Sequence, residues 1–154
     1  MPTNHEYFME LALEEATKAL DEGNHPFGSL LVRDGEVLAR GRNLAKTTTD
    51  LTAHAETMAL RNAGAALHQI EFSGCTLYAT FEPCPMCCGA IIIAHVSTLV
   101  LGGRLKRPGS AMGGYSVERL LELTQSSSQL TVVTGILQSQ CEAIVEPWRQ
   151  ARTH

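Results

Sequence analysis

Two short segments constrain the fold most, because they carry metal-binding side chains that lie thirty residues apart in the chain. The first segment contains His54 and Glu56, and the second contains Cys84 and Cys87. A structural zinc site normally has four protein ligands, whereas a catalytic site has three and leaves one position for water. His54, Cys84 and Cys87 supply three ligands. The sequence therefore predicts a catalytic Zn²⁺ site and a fold that brings both segments together.

The remaining carboxylate gives this site a proton carrier. Zinc lowers the pKa of a bound water from about 15.7 to roughly 7, and the resulting hydroxide can attack an electron-poor ring carbon. Glu56 lies two residues after His54 and could move the water's proton to a ring nitrogen and then to a departing amine. We therefore predict Glu56 as the catalytic residue. A metal also keeps thiols deprotonated, so Cys84 and Cys87 are expected to be ligands rather than nucleophiles.

Residue spacing predicts the local geometry of the site. Residues three apart lie on one face of a helix, so Cys84 and Cys87 can bind one ion if a helix begins at Pro83 or Cys84. His54 precedes a run of good helix formers at positions 57–63. We expect two helices that meet end-on at the metal, with a strand just before the second helix.

The combined pattern H-x-E…P-C-x-x-C is the signature of the zinc deaminases. The chain resembles the cytidine deaminase superfamily, in the branch that contains tRNA adenosine deaminases, guanine deaminases and fungal-type cytosine deaminases. The resemblance covers most of the chain, and it includes His25–Gly28, Leu30–Val32, Gly41–Asn43, Cys75–Thr80 and Cys88–Ile91. It implies a three-layer α/β/α fold with a mixed sheet of about five strands, and it implies a homodimer.

Hydrophobic periodicity and turn residues agree with that fold class. The 154 residues are expected to form one domain over 1–154, with 44% apolar and 18% charged residues. We predict helices over 7–20, 117–123 and 139–149. We predict strands over 29–33, 37–40, 76–79, 98–101 and 130–134, and the Asp34-Gly35 pair predicts a hairpin between the first two. The strands on either side of the cysteine-bearing helix are expected to pair in parallel.

Cysteine usage bears on the compartment. With two of five cysteines assigned to metal, Cys75, Cys88 and Cys141 remain unpaired, which fits a reducing environment. The sequence shows neither a signal peptide pattern nor a transmembrane span. We therefore expect a cytoplasmic protein that does not associate with membranes.

Substrate contacts follow from the resemblance rather than from spacing. In the related families an asparagine after the second strand contacts the base or sugar, and Asn43 occupies that position. Phe27 matches a residue that packs on the base, and Gly28 would allow a close backbone approach. The turn at Pro83 would hold the zinc-bound oxygen. Glu82 has two interpretations, since it could read an exocyclic amine or fix the turn.

Other residues near these motifs have simpler interpretations. His25 has two interpretations, a place at the border of the pocket or, as the favoured one, a surface turn before Pro26. Cys88 is expected in the core and Met112 in packing. Trp148 has two open interpretations, because a C-terminal aromatic residue closes the site in some relatives but can also simply pack.

Net charge separates the candidate substrates. Nucleic-acid binding depends on Lys and Arg, yet the chain has a formal charge of -4. This favours a deaminase acting on a small-molecule nucleobase such as guanine or cytosine, with nucleic acid a less favoured partner. The alternatives are a tRNA adenosine-to-inosine deaminase, a nucleoside deaminase and a noncatalytic zinc module. The segment Arg104–Arg107 favours the tRNA alternative, because the tRNA enzymes carry a basic segment at this place.

Overall fold

The computed structural model describes residues 4–104 and 112–151. The elements follow one another as α1 His5–Asp21, β1 Gly28–Arg33, β2 Glu36–Arg42, α2 Ala45–Thr48, α3 Ala55–Leu67, β3 Thr76–Phe81, α4 Pro85–Ile93, β4 Thr98–Gly103, α5 Val117–Leu123, β5 Thr131–Val133 and α6 Gln138–Ala151. Every helix and strand predicted from periodicity is present, with ends that differ by a few residues. The four-residue helix α2 was not predicted.

The five strands form one mixed sheet in the order β2-β1-β3-β4-β5. Strand β1 pairs antiparallel with both β2 and β3, whereas β3, β4 and β5 run parallel. The β1–β2 turn uses Asp34 and Gly35, both with positive φ, as the predicted two-residue hairpin requires. The parallel pairing around α4 is also confirmed. The carboxyl ends of β3 and β4 therefore lie at one edge of the sheet.

Alternating residues of the central strands cover both faces of the sheet with apolar side chains. On one face, Leu30, Tyr78 and Val100 pack in a core cluster with residues of α1 and α6. The other face packs with α3, α4 and α5 in a larger cluster that includes Leu31, Leu77, Leu99, Cys88 and Val117. This arrangement confirms the three-layer α/β/α fold.

Two glycines allow helices to lie directly against the antiparallel part of the sheet. A Cβ atom at Gly28 would meet the backbone of α1 at Ala12 and Ala16. A Cβ atom at Gly41 would meet the backbone of α3 at Ala55 and Ala59. The close approach predicted at Gly28 is therefore made by α1. Because His54 is the N-cap of α3, the close packing of α3 at Gly41 also positions His54.

The cysteines and the helices bear on the expected compartment and on membrane association. All five cysteines are free thiols in the structure. In the portion of the chain that is described, no helix combines the length and the apolar character needed to cross a membrane.

We predict that Gly41→Ala destabilises the protein. The added methyl group has no space without moving the backbone of α3, and overpacking of this kind costs about 1–3 kcal/mol. Chemical denaturation followed by circular dichroism would measure the change. Gly89→Ala is the matched control, because a Cβ atom there meets nothing within 4 Å and the residue lies inside helix α4. An equal effect of both substitutions would contradict the packing argument.

Candidate active site

The three side chains predicted to bind the metal lie at the beginnings of two helices. His54 is the N-cap of α3, and Cys84 is the N-cap of α4. Cys87 follows in the first turn of α4 and is fully buried. The predicted end-on meeting of two helices is confirmed, with one difference. Pro85 and not Pro83 is the first residue of the helix, so the helix begins two residues later than Pro83 and one residue later than Cys84.

The three ligand atoms are close enough to share one ion. Nδ1 of His54 lies 3.5 Å from Sγ of Cys84 and 3.5 Å from Sγ of Cys87. All three atoms lie within 4.8 Å of one another, which is compatible with Zn–S and Zn–N bonds of about 2.3 Å and 2.0–2.1 Å. Across residues 4–104 and 112–151, this is the one such cluster of three or more possible ligands. One nitrogen and two sulfur donors form a set that fits Zn²⁺.

The two thiols titrate as a coupled pair. A hydrogen bond from Cys87 to Cys84 lowers the pKa of Cys84 to about 4 and raises the pKa of Cys87. The hydrogen bond with Cys84 raises the pKa of His54. Cys84 therefore forms a thiolate readily at the N-terminus of α4, where the helix dipole favours negative charge.

Glu56 lies in the first turn of α3 and is 6% exposed. Burial raises the pKa of its carboxyl group to about 7, and a hydrogen bond with Cys87 opposes this shift. The carboxyl group therefore lies beside the metal-binding cluster and is shielded from bulk water.

A cavity of about 110 Å³ opens beside these residues. His54, Glu56 and Cys84 form part of its wall, and the remaining lining residues are His25, Phe27, Asn43, Ala55, Phe81, Glu82 and Met112. The wall thus combines the metal-binding cluster with aromatic side chains and a few polar groups, as is typical of small-molecule and base-binding pockets.

The structure places the five predicted substrate contacts in different surroundings. Phe27, Asn43 and Glu82 line the cavity, whereas Gly28 and Pro83 are not among its lining residues. The side-chain oxygen of Asn43 accepts a hydrogen bond from the backbone N–H of Ala45 at 3.1 Å. Pro83 accepts a hydrogen bond from the hydroxyl of Tyr115 through its carbonyl oxygen. Contact of any of these five residues with a substrate stays a prediction.

Sequence reasoning missed two lining residues and did not favour a third. Met112 was assigned to packing, Phe81 was not considered, and for His25 a surface turn was favoured over the border of the pocket. All three line the cavity, although they come from three separate parts of the chain. Trp148 lies next to them, with its ring 4.7 Å from that of His25 and 5.6 Å from that of Phe27. Periodicity within one element carries no information about such neighbours.

A buried ion-pair network holds the turn that precedes Cys84. The carboxylate of Glu82 accepts hydrogen bonds from Arg104 at 3.0 and 3.2 Å and from the backbone N–H of Val117 at 2.9 Å. Arg104 also pairs with Glu118 at 2.6 Å. The side chains of Arg104 and Glu82 are only 11% and 1% exposed. Strand β4 and the start of α5 are thereby joined to the metal-binding segment.

The fold and this site define a zinc-dependent deaminase, and sequence comparison places the chain in a family. The family described as "Cytidine and deoxycytidylate deaminase zinc-binding region" matches residues 2–103. The chain belongs to this family.

Individual relatives and solved structures extend the similarity over most of the chain. The tRNA-specific adenosine deaminase of Bacillus subtilis (strain 168) is 38% identical, over 90% of this chain and 84% of that protein. The chloroplastic tRNA(adenine(34)) deaminase of Arabidopsis thaliana is 38% identical over 97% of this chain, which spans only 12% of that protein. The structure of a tRNA:A34 deaminase superimposes with a TM-score of 0.79 at 37% identity, covering 90% of this chain and 98% of that chain. A guanine deaminase from Nitrosomonas europaea gives a TM-score of 0.81 at 25% identity, covering 97% and 86%.

These comparisons contradict the expected free-base substrate and small-molecule partner. The relatives with 33–38% identity over most of the chain are adenosine deaminases of tRNA. The expectation was wrong because it relied on net charge, which sums over the whole molecule and does not report where cations lie. Two residues of the basic segment, Lys106 and Arg107, lie outside the described part of the chain.

We predict that Cys87→Ala abolishes stable zinc binding, because the cluster keeps only two ligands. Zinc content of the purified protein, measured by mass spectrometry, should fall from about one ion per chain to a small fraction of that value. Cys88→Ala is a matched control, since Cys88 is equally buried but packs in the core cluster of the sheet. Stoichiometric zinc in Cys87→Ala would refute the ligand assignment.

We also predict that Glu82→Gln destabilises the protein by about 3 kcal/mol, because it removes one charge of a buried pair and leaves Arg104 without its buried partner. The free energy of unfolding from a urea titration would measure the change. Arg119→Ala is the control, since Arg119 and Glu122 form an exposed pair that contributes about 0–1 kcal/mol. Similar effects of the two substitutions would show that the buried network contributes no more to the free energy of unfolding than an exposed ion pair.

Proposed function

We propose that this protein deaminates adenosine to inosine in tRNA. The observation that carries the proposal is the 38% identity with a tRNA-specific adenosine deaminase over 90% of this chain and 84% of that protein. The His54, Cys84 and Cys87 cluster, with Glu56 beside it, supports the same chemistry. Water replaces the exocyclic amine at C6 of the adenine ring, a carbonyl forms, and ammonia leaves.

In this reaction the metal would activate water, and Glu56 would transfer protons. Zinc, when bound, supplies Lewis acidity and lowers the pKa of a coordinated water to near neutrality. Glu56 would accept a proton from the attacking water, deliver it to a ring nitrogen and later protonate the departing amine. Its burial favours this role, because bulk water cannot compete for the proton inside the cavity.

The size of the cavity favours entry of the target base without its ribose and phosphates. A volume of about 110 Å³ is well below the 300–1,000 Å³ of pockets that enclose drug-sized ligands. The base would therefore occupy the cavity, while its ribose and phosphates stay outside. Enzymes that modify a base in this way take it out of its stack. Phe27 and Phe81, whose rings lie 5.7 Å apart in the wall, would supply the apolar surface that replaces base stacking.

Polar residues of the wall would orient the base. Asn43 is 2% exposed and lines the cavity, so its amide group is our candidate for a hydrogen bond to the base or ribose. For Glu82 we favour the turn-fixing role over direct recognition, because its carboxylate already accepts three hydrogen bonds from Arg104 and Val117. Pro83 would help to fix the turn before Cys84, since its carbonyl oxygen accepts a hydrogen bond from Tyr115 and proline has no backbone N–H to donate.

Replacing Glu56 with Gln should abolish turnover while zinc and fold are retained. The amide is nearly isosteric with the carboxyl group but cannot carry the proton, and general acid–base catalysis contributes about 10²–10⁴-fold. The measurement is inosine formation in an anticodon stem-loop RNA with adenosine at the wobble position. Zinc content and circular dichroism of the same preparations provide the folding control.

The wild-type protein should also be assayed for ammonia release from adenine, guanine, cytosine and their nucleosides. Inosine in the RNA without release from these small molecules is the expected result. Deamination of a free base with no reaction on RNA would overturn the proposed substrate. Full activity of Glu56→Gln would instead overturn the proposed proton carrier.

A further inference from the structure

A tRNA substrate creates an electrostatic problem for a chain with a formal charge of -4. The part of nucleic-acid affinity that comes from counterion release needs Lys and Arg near the phosphates, and a cation already paired with a carboxylate is poorly suited to this role. The ion pairs of the structure therefore show which cations remain available for phosphate.

Most cations in residues 4–104 and 112–151 are paired with carboxylates. Six of the nine lysines and arginines there form ion pairs, with closest N–O distances from 2.6 to 3.8 Å: Lys18, Arg40, Arg42, Arg61, Arg104 and Arg119. Within these same ranges, three cations have no carboxylate within 4.0 Å: Arg33, Lys46 and Arg149. Arg104, which belongs to the basic segment noted in the sequence, is among the paired ones.

Lys46 lies close in sequence to the cavity wall, on a backbone that is held by hydrogen bonds. It follows Asn43, a lining residue, by three positions in the short helix α2. The side-chain oxygen of Asn24, which is 2% exposed, accepts hydrogen bonds from the backbone N–H groups of Lys46 and Thr47, both at 3.1 Å. The Lys46 side chain itself is exposed to solvent.

Arg149 approaches the same cavity from helix α6. Its guanidinium carbon lies 5.5 Å from the centre of the Phe81 ring, and Phe81 lines the cavity. Stacking on an aromatic face orients a guanidinium group and leaves its N–H donors free for a bidentate contact with phosphate. Lys46 and Arg149 thus belong to two different elements, α2 and α6, and each is linked to the cavity wall: Lys46 through the nearby Asn43 in the chain, and Arg149 through its contact with Phe81.

We propose that Lys46 and Arg149 bind backbone phosphates of the RNA on either side of the nucleotide whose base enters the cavity. The inference rests on the proposed function, since a base taken out of its stack leaves its two flanking phosphates outside the cavity. The pair would set the position of the RNA strand without reading its sequence.

Arg33 provides a matched control from the same group of cations. It also has no carboxylate within 4.0 Å in the described ranges, but it lies next to the β1–β2 hairpin, opposite Glu36. Strand β1 begins at Gly28, next to the lining residue Phe27, and five residues of strand place Arg33 roughly 16 Å further along. Arg33→Ala therefore removes the same charge at a distance from the rim.

The test is RNA binding by Lys46→Ala, Arg149→Ala and Arg33→Ala, each made in the Glu56→Gln background so that the RNA is not consumed. Fluorescence anisotropy with a labelled anticodon stem-loop would give Kd at several salt concentrations between about 50 and 200 mM. Lys46→Ala and Arg149→Ala should each weaken binding about tenfold at the lowest salt. Each should also reduce the slope of log Kd against log salt by about 0.7–1.

The conservative substitutions Lys46→Arg and Arg149→Lys should restore most of the salt slope, which a folding defect would not allow. Arg33→Ala should bind and respond to salt like the parent. Parent-like affinity and slope in Lys46→Ala or Arg149→Ala would overturn the inference, while inosine formation by the wild-type protein would still support the proposed function. If the wild-type protein neither binds the stem-loop nor forms inosine, the proposed function fails and the inference with it.

Discussion

The meeting of two helix N-termini is the constraint on which the rest of the structure depends. His54 and Cys84 are N-cap residues, and Cys87 lies one turn further along α4. N-cap positions have fixed backbone geometry, and the partial positive charge of a helix N-terminus favours thiolate. A zinc site built in this way needs α3 and α4 to be placed within a few ångströms of each other. Gly41 lets the start of α3 pack directly against strand β2. Strand β3 ends at Phe81, only a few residues before α4 begins at Pro85.

The segment between β3 and α4 also depends on parts of the chain that carry no chemistry themselves. Glu82 is held by Arg104 from the end of β4 and by the backbone of Val117 at the start of α5. Tyr115 donates a hydrogen bond to the carbonyl of Pro83. The last residues before Cys84 are thus held by three residues, Arg104, Tyr115 and Val117. Rigid support of this kind is what a metal site requires, because small displacements of a ligand are costly to metal affinity.

Local patterns in the sequence were sufficient to predict most helices and strands, because these depend on spacing within single elements, whereas the three-layer fold was implied by the family resemblance. The two motifs also named the three side chains that the structure brings together. Periodicity located α5 at its observed bounds, and Asp34-Gly35 identified the hairpin. Helix α2 was missed because four residues, two of them threonines, are too few for a periodic pattern.

The cavity could be predicted only in part. His25, Phe81 and Met112 converge on it from distant segments, and their proximity follows from tertiary packing. The position of Pro85 rather than Pro83 in the first turn of α4 likewise depends on how β3 ends at Phe81 and the chain turns before the helix. Such features require the three-dimensional arrangement of strands, which a single sequence does not specify residue by residue.

The net charge of the whole chain is a poor guide to nucleic-acid binding by this protein. The excess of acidic residues suggested a protein that avoids RNA, yet many of these carboxylates serve as partners for structural arginines. Glu15 alone accepts from Lys18 and lies within 4 Å of Arg40 and Arg42. A carboxylate used in this way neutralises a cation of the protein and lowers the net charge without showing where the unpaired cations lie. Since the Debye length is about 8 Å at physiological salt, the potential that RNA meets is set by the nearest charges. Lys46 and Arg149, which have no carboxylate within 4.0 Å in the described ranges, are the cations that we propose for this contact, and a negative total charge therefore does not by itself exclude RNA.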